Sequence, residues 1–112
     1  MSTVEASYRL QPYEVSGTDL RIHWNIEQRT RTDDVTGETY TYWHANEALC
    51  NTYDNRALII EAIISSVYDT GSEIATINNK DRKPEEYQAY QDFRVLAKTL
   101  ADEWLQVKST YI

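Results

Sequence analysis

Histidine, cysteine and paired carboxylates are the side chains on which catalysis or metal binding would rest, and this chain holds few of them in useful spacing. It has two histidines and one cysteine. His23 lies on the polar side of an alternating stretch, and His44 follows Trp43 on the next candidate strand, so a hairpin could set the two imidazoles opposite each other. Two imidazoles begin a metal site, but no third ligand falls at a characteristic distance along the chain. Cys50 is six residues from His44, and only the fold could make them neighbours; a buried, inert thiol is the simpler expectation. "DDVTGE" has a passing likeness to a calcium loop but lacks alternating carboxylates and a closing glutamate, so a hairpin turn accounts for it better. Glu85 and Glu86 are adjacent, hence splayed over a helix surface, and make a poor acid–base pair. Neither GxGxxG nor GxxxxGK[ST] occurs, and three glycines leave little scope for a phosphate cradle. No catalytic residue, cofactor or metal is therefore expected, and the chain does not read as an enzyme.

The elements that would carry these residues follow from hydrophobic period. In "LRIHWNI", Leu20, Ile22, Trp24 and Ile26 alternate with Arg21, His23 and Asn25, the pattern of a strand with one buried side. Turn formers Asp33, Asp34 and Gly37 follow, then "TYTYW", so a hairpin is predicted, its second strand running on towards Leu49. "SYRLQPYEV" supplies a candidate third strand, confined by Pro12 to an edge or a bend. From Asp54, a suitable N-cap, the period becomes helical: Leu58, Ile60, Ile63, Ile64 and Val67 form a stripe that Gly71 would stop. Ile59 lies off that stripe, making the helix apolar over much of its girth and central to a core. Ser72 can cap a short helix carrying Ile74 and Ile77. Pro84, Glu85 and Glu86 suit the first turn of a third helix. There Tyr90, Phe93, Ala97, Leu100, Ala101 and Trp104 recur at three- and four-residue steps. Extending to about Val107, that helix would be roughly 36 Å long at ~1.5 Å per residue.

Strands first and helices after them predict an α+β fold. An N-terminal antiparallel hairpin or three-stranded meander would pack on two to three C-terminal helices. At 112 residues one domain, 1–112, is expected, β-rich over about 8–50 and helical over 54–107. A net charge of −7 makes nucleic acid a poor partner and a cationic protein surface a better one. "MSTVEASYRL" lacks a basic region followed by an apolar run, so no secretory leader is expected. "ALIIEAII" is too short to span a bilayer, and a soluble protein with no membrane partner is anticipated. The lone cysteine fits a reducing interior.

Nine tyrosines exceed what so small a core readily hides, because each buried hydroxyl wants a partner. Some should be exposed, and tyrosine is enriched at protein interfaces. The contact candidates are Tyr40, Tyr42 and Trp43 on the hairpin, with Tyr87, Tyr90 and Trp104 on the long helix. Any of these that face inward would be core instead.

Residues 58–101, "LIIEAIISSVYDTGSEIATINNKDRKPEEYQAYQDFRVLAKTLA", add a family likeness. An isoleucine-rich helix ends at Tyr68; a glutamate–x–alanine unit follows at Glu73 and Ala75, then a charged "KDRKPEEY" connection and a helix bearing "YQ…R…AK". This resembles the C-terminal module of small proteins encoded near tail and baseplate genes of bacteriophages and prophages. A tryptophan-containing hairpin leading into "ANEAL" is similar to such proteins too. The resemblance implies a non-enzymatic tail- or baseplate-associated structural or chaperone-like assembly protein. Its partners would be tail or baseplate proteins or a second copy of itself, and its location the virion tail or the host cytoplasm during assembly. It carries over no catalytic residue; Glu73, Pro84, Glu85, Tyr87, Arg94 and Lys98 read locally as caps, helix starters and surface pairs. The alternative is an acidic phage-encoded inhibitor that blocks a host nucleic-acid-binding enzyme.

Overall fold

The computed structural model describes residues 2–112. Its elements run β1 (Thr3–Ala6), β2 (Tyr13–Ser16), β3 (Asp19–Thr32), β4 (Thr39–Asn51), α1 (Arg56–Ser65), α2 (Thr70–Asn78) and α3 (Pro84–Tyr111). All strand pairs are antiparallel, in the order β1-β4-β3-β2, and the fold is α+β. Four strands form rather than two or three because two short segments flank the hairpin on opposite edges. "YEVS" pairs with β3 through a tight turn in which Gly17 takes a φ of 61°, a backbone position costly for residues with a Cβ. "TVEA" pairs with β4, a strand that its two apolar residues alone do not announce.

Because β1 and β2 lie on opposite edges, the segment joining them (7–12) must cross one face of β4 and β3. The helices cover the other face. Register and strand alternation assign the sides: Leu20, Ile22 and Trp24 of β3 and Ala48 and Cys50 of β4 face α1 and α3. His23, Ala45 and Glu47 face the crossing segment, which buries Leu10 as it passes.

On the helical side, Ile59, Ile63 and Ile64 of α1 meet Ala97, Leu100, Ala101 and Trp104 of α3 above the sheet. Ala97 and Ala101 are four apart, one turn above the other, and their small side chains let α1 approach. Trp104 is sealed completely, with its ring 5.6 Å from both Tyr13 and Tyr111. The Tyr13 hydroxyl lies 3.0 Å from the Leu100 carbonyl and 3.2 Å from Glu103 Oε2, and burial, then Glu103, raises its pKa far above the ordinary phenol value. Arg56 pairs with Asp102 at 2.6 Å, tying the start of α1 to α3; Asp102 is held below the usual carboxylate range by that bond.

Several boundaries differ from the sequence expectation. Asn55, not Asp54, caps α1 by accepting from the Leu58 amide, while Asp54 accepts from the Asn51 amide and closes the turn out of β4. The buried stripe is Ile59, Ile63 and Ile64, and Leu58 points outward. Gly71 does not end α1; it lies in the first turn of α2, whose N-cap is Asp69 rather than Ser72. Ile74 and Ile77 of α2 remain exposed. Pro84 does open α3, and the stripe from Tyr90 to Trp104 is buried apart from the half-buried Phe93. Among the described residues, no helix is long and apolar enough to cross a membrane.

Candidate protein-binding interface

The hairpin β3–β4 does two different things along its length. As far as Trp24 its helix-facing side is buried; from Glu27 to Thr41 every residue is exposed. The six β3 residues Glu27–Thr32 alone extend this ribbon by roughly 20 Å at ~3.4 Å per residue. β1 pairs only with 43–46 of β4, and β2 only with 19–22 of β3, so both edges of the ribbon are open. The molecule measures 50 × 39 × 18 Å with a radius of gyration of 16.6 Å, against about 13 Å for a compact chain of this length. The ribbon is an arm.

A β-bulge divides arm from base. Trp24 pairs with Asn46 and Glu27 with His44, so Asn25 and Ile26 together oppose Ala45. Asn25 has a φ of 54°, in the left-handed region that asparagine tolerates better than most residues. The extra residue carries Ile26 off the face shared by Leu20, Ile22 and Trp24, where unbroken alternation had placed it, and leaves it half-buried.

Beyond the bulge, register sorts the arm into two unlike faces. Pairs Glu27–His44, Arg29–Tyr42 and Arg31–Tyr40 lie on the side continuous with the helices; Gln28–Trp43, Thr30–Thr41 and Thr32–Thr39 lie on the other. On the first face Arg31 stacks 4.6 Å from the Tyr42 ring centroid, and its Nη2 reaches the Tyr42 hydroxyl and Glu5 Oε1, each at 3.3 Å. Tyr40 lies 6.4 Å from Tyr42, and Arg29 pairs with Glu27. The tip is shaped by Asp33, whose Oδ1 accepts from the Val35 and Thr36 amides; these bonds lower its pKa. At the arm's root a cleft of about 370 Å³ opens between Asn25, Ile26, Glu27, Arg29, His44 and Asn46.

The contact candidates separate accordingly. Tyr40 is exposed and Tyr42 half-buried beneath Arg31, side by side on the arm. Trp43 is half-buried on the opposite face under Arg9, 5.6 Å from its ring. Tyr87 is half-buried at the start of α3. Tyr90 and Trp104 are corrected: both are buried and unavailable to a partner. Tyr90 stacks edge-on against Tyr68 and bonds Glu73 through its hydroxyl, and Trp104 fills the centre of the core. The arm's arginines were missed, although "EQRTRT" places Arg29 and Arg31 on one strand face, opposite "TYTY".

The residues with chemical potential lie apart. His23 and His44 project from opposite faces of the hairpin and do not meet. His44 and Cys50 share a face, but six residues of strand put them about 20 Å apart. Burial, with Asp54 nearby, pushes the Cys50 thiol up to about 11. Among the described residues, no group of three or more His, Cys, Asp or Glu side chains is placed to hold a metal ion. Neither a family model nor a curated protein nor a solved structure matches the chain.

Proposed function

We propose that this chain is a non-enzymatic docking protein of a bacteriophage or prophage tail or baseplate, a structural part or an assembly chaperone, that grips its partner with the β-arm. The observation that carries the docking role is the arm itself: fifteen consecutive exposed residues, 27–41, held out on two open-edged strands beyond the helical layer. A solvated ribbon of this length adds nothing to the core and costs conformational entropy. Its aromatic and arginine side chains are the types that dominate binding energy at interfaces, and Arg31 over Tyr42 is already ordered. Tyr40, Tyr42, Arg29 and Arg31 are the contact residues assigned here. The phage setting is supported by the resemblance over residues 58–101. The inhibitor alternative draws less support, because carboxylates pair with cations at Glu27–Arg29, Glu5–Arg31, Asp102–Arg56 and Glu86–Lys83 instead of forming phosphate-like rows.

Quantitative mass spectrometry of particles purified from the phage or prophage encoding the chain tests this reading. Stoichiometric copies in finished tails identify a structural part, and copies confined to immature tails identify a chaperone. Absence from both, with the chain held instead by a basic host enzyme, overturns it in favour of the inhibitor.

A further inference from the structure

The two edges of the arm are not alike. Along it, β3 carries Glu27, Arg29 and Arg31, whereas β4 from Thr39 to Trp43 carries no charge. Charges on an edge strand discourage another strand from pairing there. A neutral run of threonine and aromatic residues, "TYTYW", has the composition that invites pairing. At the base the same β4 edge is covered by β1, whose last register pair is Ala6 with Trp43. Beyond Trp43 the edge is bare.

Backbone direction follows from the ladder. The Glu47 amide donates to the Ser2 carbonyl, and the Asp33 amide to the Glu38 carbonyl. In an antiparallel pair, successive residues turn their N–H and C=O alternately towards one neighbour and the other. Odd-numbered β4 residues therefore face the β1 edge, and even-numbered ones face β3. The bulge lies on β3, so it does not disturb this count. Thr39 and Thr41, both exposed, thus hold their amide and carbonyl groups outward, past the end of β1.

A second copy satisfies these groups in one register. With Tyr40 facing Tyr40 of the other copy across a two-fold axis, each Thr39 meets a Thr41 and exchanges N–H···O bonds with it in both directions. Centring the axis on Thr41 instead would set Thr39 against Trp43, whose outward groups β1 already occupies. The side chains agree with the first register. The two Tyr40 residues form a non-hydrogen-bonded pair, whose Cα atoms approach to about 4.5 Å, an arrangement favourable to aromatic rings. Glu38, exposed beside the turn, comes opposite a Tyr42 on which Arg31 is stacked. Opposite charges therefore meet on both sides of the axis, Glu38 of each copy with Arg31 of the other.

We infer that the arm's β4 edge, residues 39–42, pairs antiparallel with the same edge of a second copy of this chain. The inference rests on the arm being a contact element and makes a second copy its first occupant. The product is a continuous ribbon, in the order β3-β4-β4-β3, that carries Tyr40, Tyr42 and Arg31 of both copies on one face. The contact is small against the ~1,600 Å² of a standard interface, so the dimer forms reversibly with concentration.

Sedimentation velocity of the intact chain between about 10 μM and about 1 mM tests this, and the dimer fraction should rise across that range. Thr41→Pro removes an outward N–H without touching the ladder to β3, a position where an edge strand tolerates proline. It should weaken the dimer about tenfold or more, while circular dichroism and melting stay those of the parent. Thr30→Pro, whose N–H faces the opposite edge, should leave the dimer intact. Amide exchange on the unaltered chain gives a second readout: Thr39 and Thr41 should gain protection on concentration, and Tyr40 and Tyr42 should be protected throughout. A chain monomeric over the whole range, Thr39 and Thr41 protection acquired only with added tail particles, or a dimer lost equally with Thr30→Pro would each overturn the inference. The first two of these leave the docking role of the arm standing. A concentration-dependent dimer that binds no tail or baseplate particle would support the pairing and strike the docking role alone.

Discussion

The same two strands build the most buried and the most solvated parts of this molecule. At the base, Leu20 and Ile22 are wholly buried beneath α1 and α3. A few residues further on, Arg29, Arg31 and Tyr40 stand in water on the same ribbon. Pairing continues through both, so hydrogen bonding does not distinguish them; what changes is whether a helix lies above. The bulge at Asn25 and Ile26 falls at that boundary, after Trp24, whose ring packs 5.9 Å from Phe93. Base and arm divide the labour. One holds the fold and the other is free to make contacts, so substitutions should separate stability from binding.

The sharpest separation is expected at the base. Trp104→Ala removes a fully buried ring from between Tyr13 and Tyr111 and should cost about 3–5 kcal/mol in urea unfolding. A loss of less than ~1 kcal/mol would contradict the packing described. At the boundary, Asn25→Ala should cost about 1 kcal/mol by thermal melting, because alanine tolerates a φ of 54° poorly, whereas Asn25→Gly should be far milder. Equal costs for the two would mean that the Asn25 side chain matters more than its backbone.

Cys50 sharpens the contrast through its reactivity. Below about pH 9 a thiol raised to about 11 stays neutral in the folded base, so a disulfide reagent at about pH 8 should label it only as the chain opens. The stability that this neutral thiol contributes is present below its ordinary value and is lost as pH rises towards about 11. Rapid labelling of the native protein would show the base to be looser than its burial implies. The smallest effect belongs to the tip. Asp33 has a lowered pKa, so its contribution is present above the ordinary value of 3.8 and is lost as pH falls below it. Val35 and Thr36 amides should lose protection in acid before any base amide does, and simultaneous loss would merge the two regions into one cooperative unit.

Where a side chain's fate depends on local period, the sequence was a good guide. The α3 stripe, Pro84 at its start, the "DDVTGE" turn and the core face of "LRIHW" were all legible, because each is a repeat or a turn residue acting within a few positions. What could not be read depends on contacts between distant segments. Nothing in "LRIHWNI" marks the bulge, since Asn25 continues the alternation until its φ is known. His23 looked solvated because its cover, the crossing segment, comes from a chain reversal set by β1 and β2 pairing at opposite edges. Tyr90 and Trp104 looked like contacts because aromatic content alone does not tell which rings are sealed. On the arm, "TYTY" disclosed Tyr40 and Tyr42, but how far the ribbon outruns the helices required the three-dimensional arrangement.

The most direct test of the division between base and arm is to measure binding of the Tyr40→Ala/Tyr42→Ala double variant to tail or baseplate particles alongside its melting temperature. Melting should stay within about 4 °C of the parent while binding falls at least about tenfold. Full binding by a variant that melts normally would contradict that division.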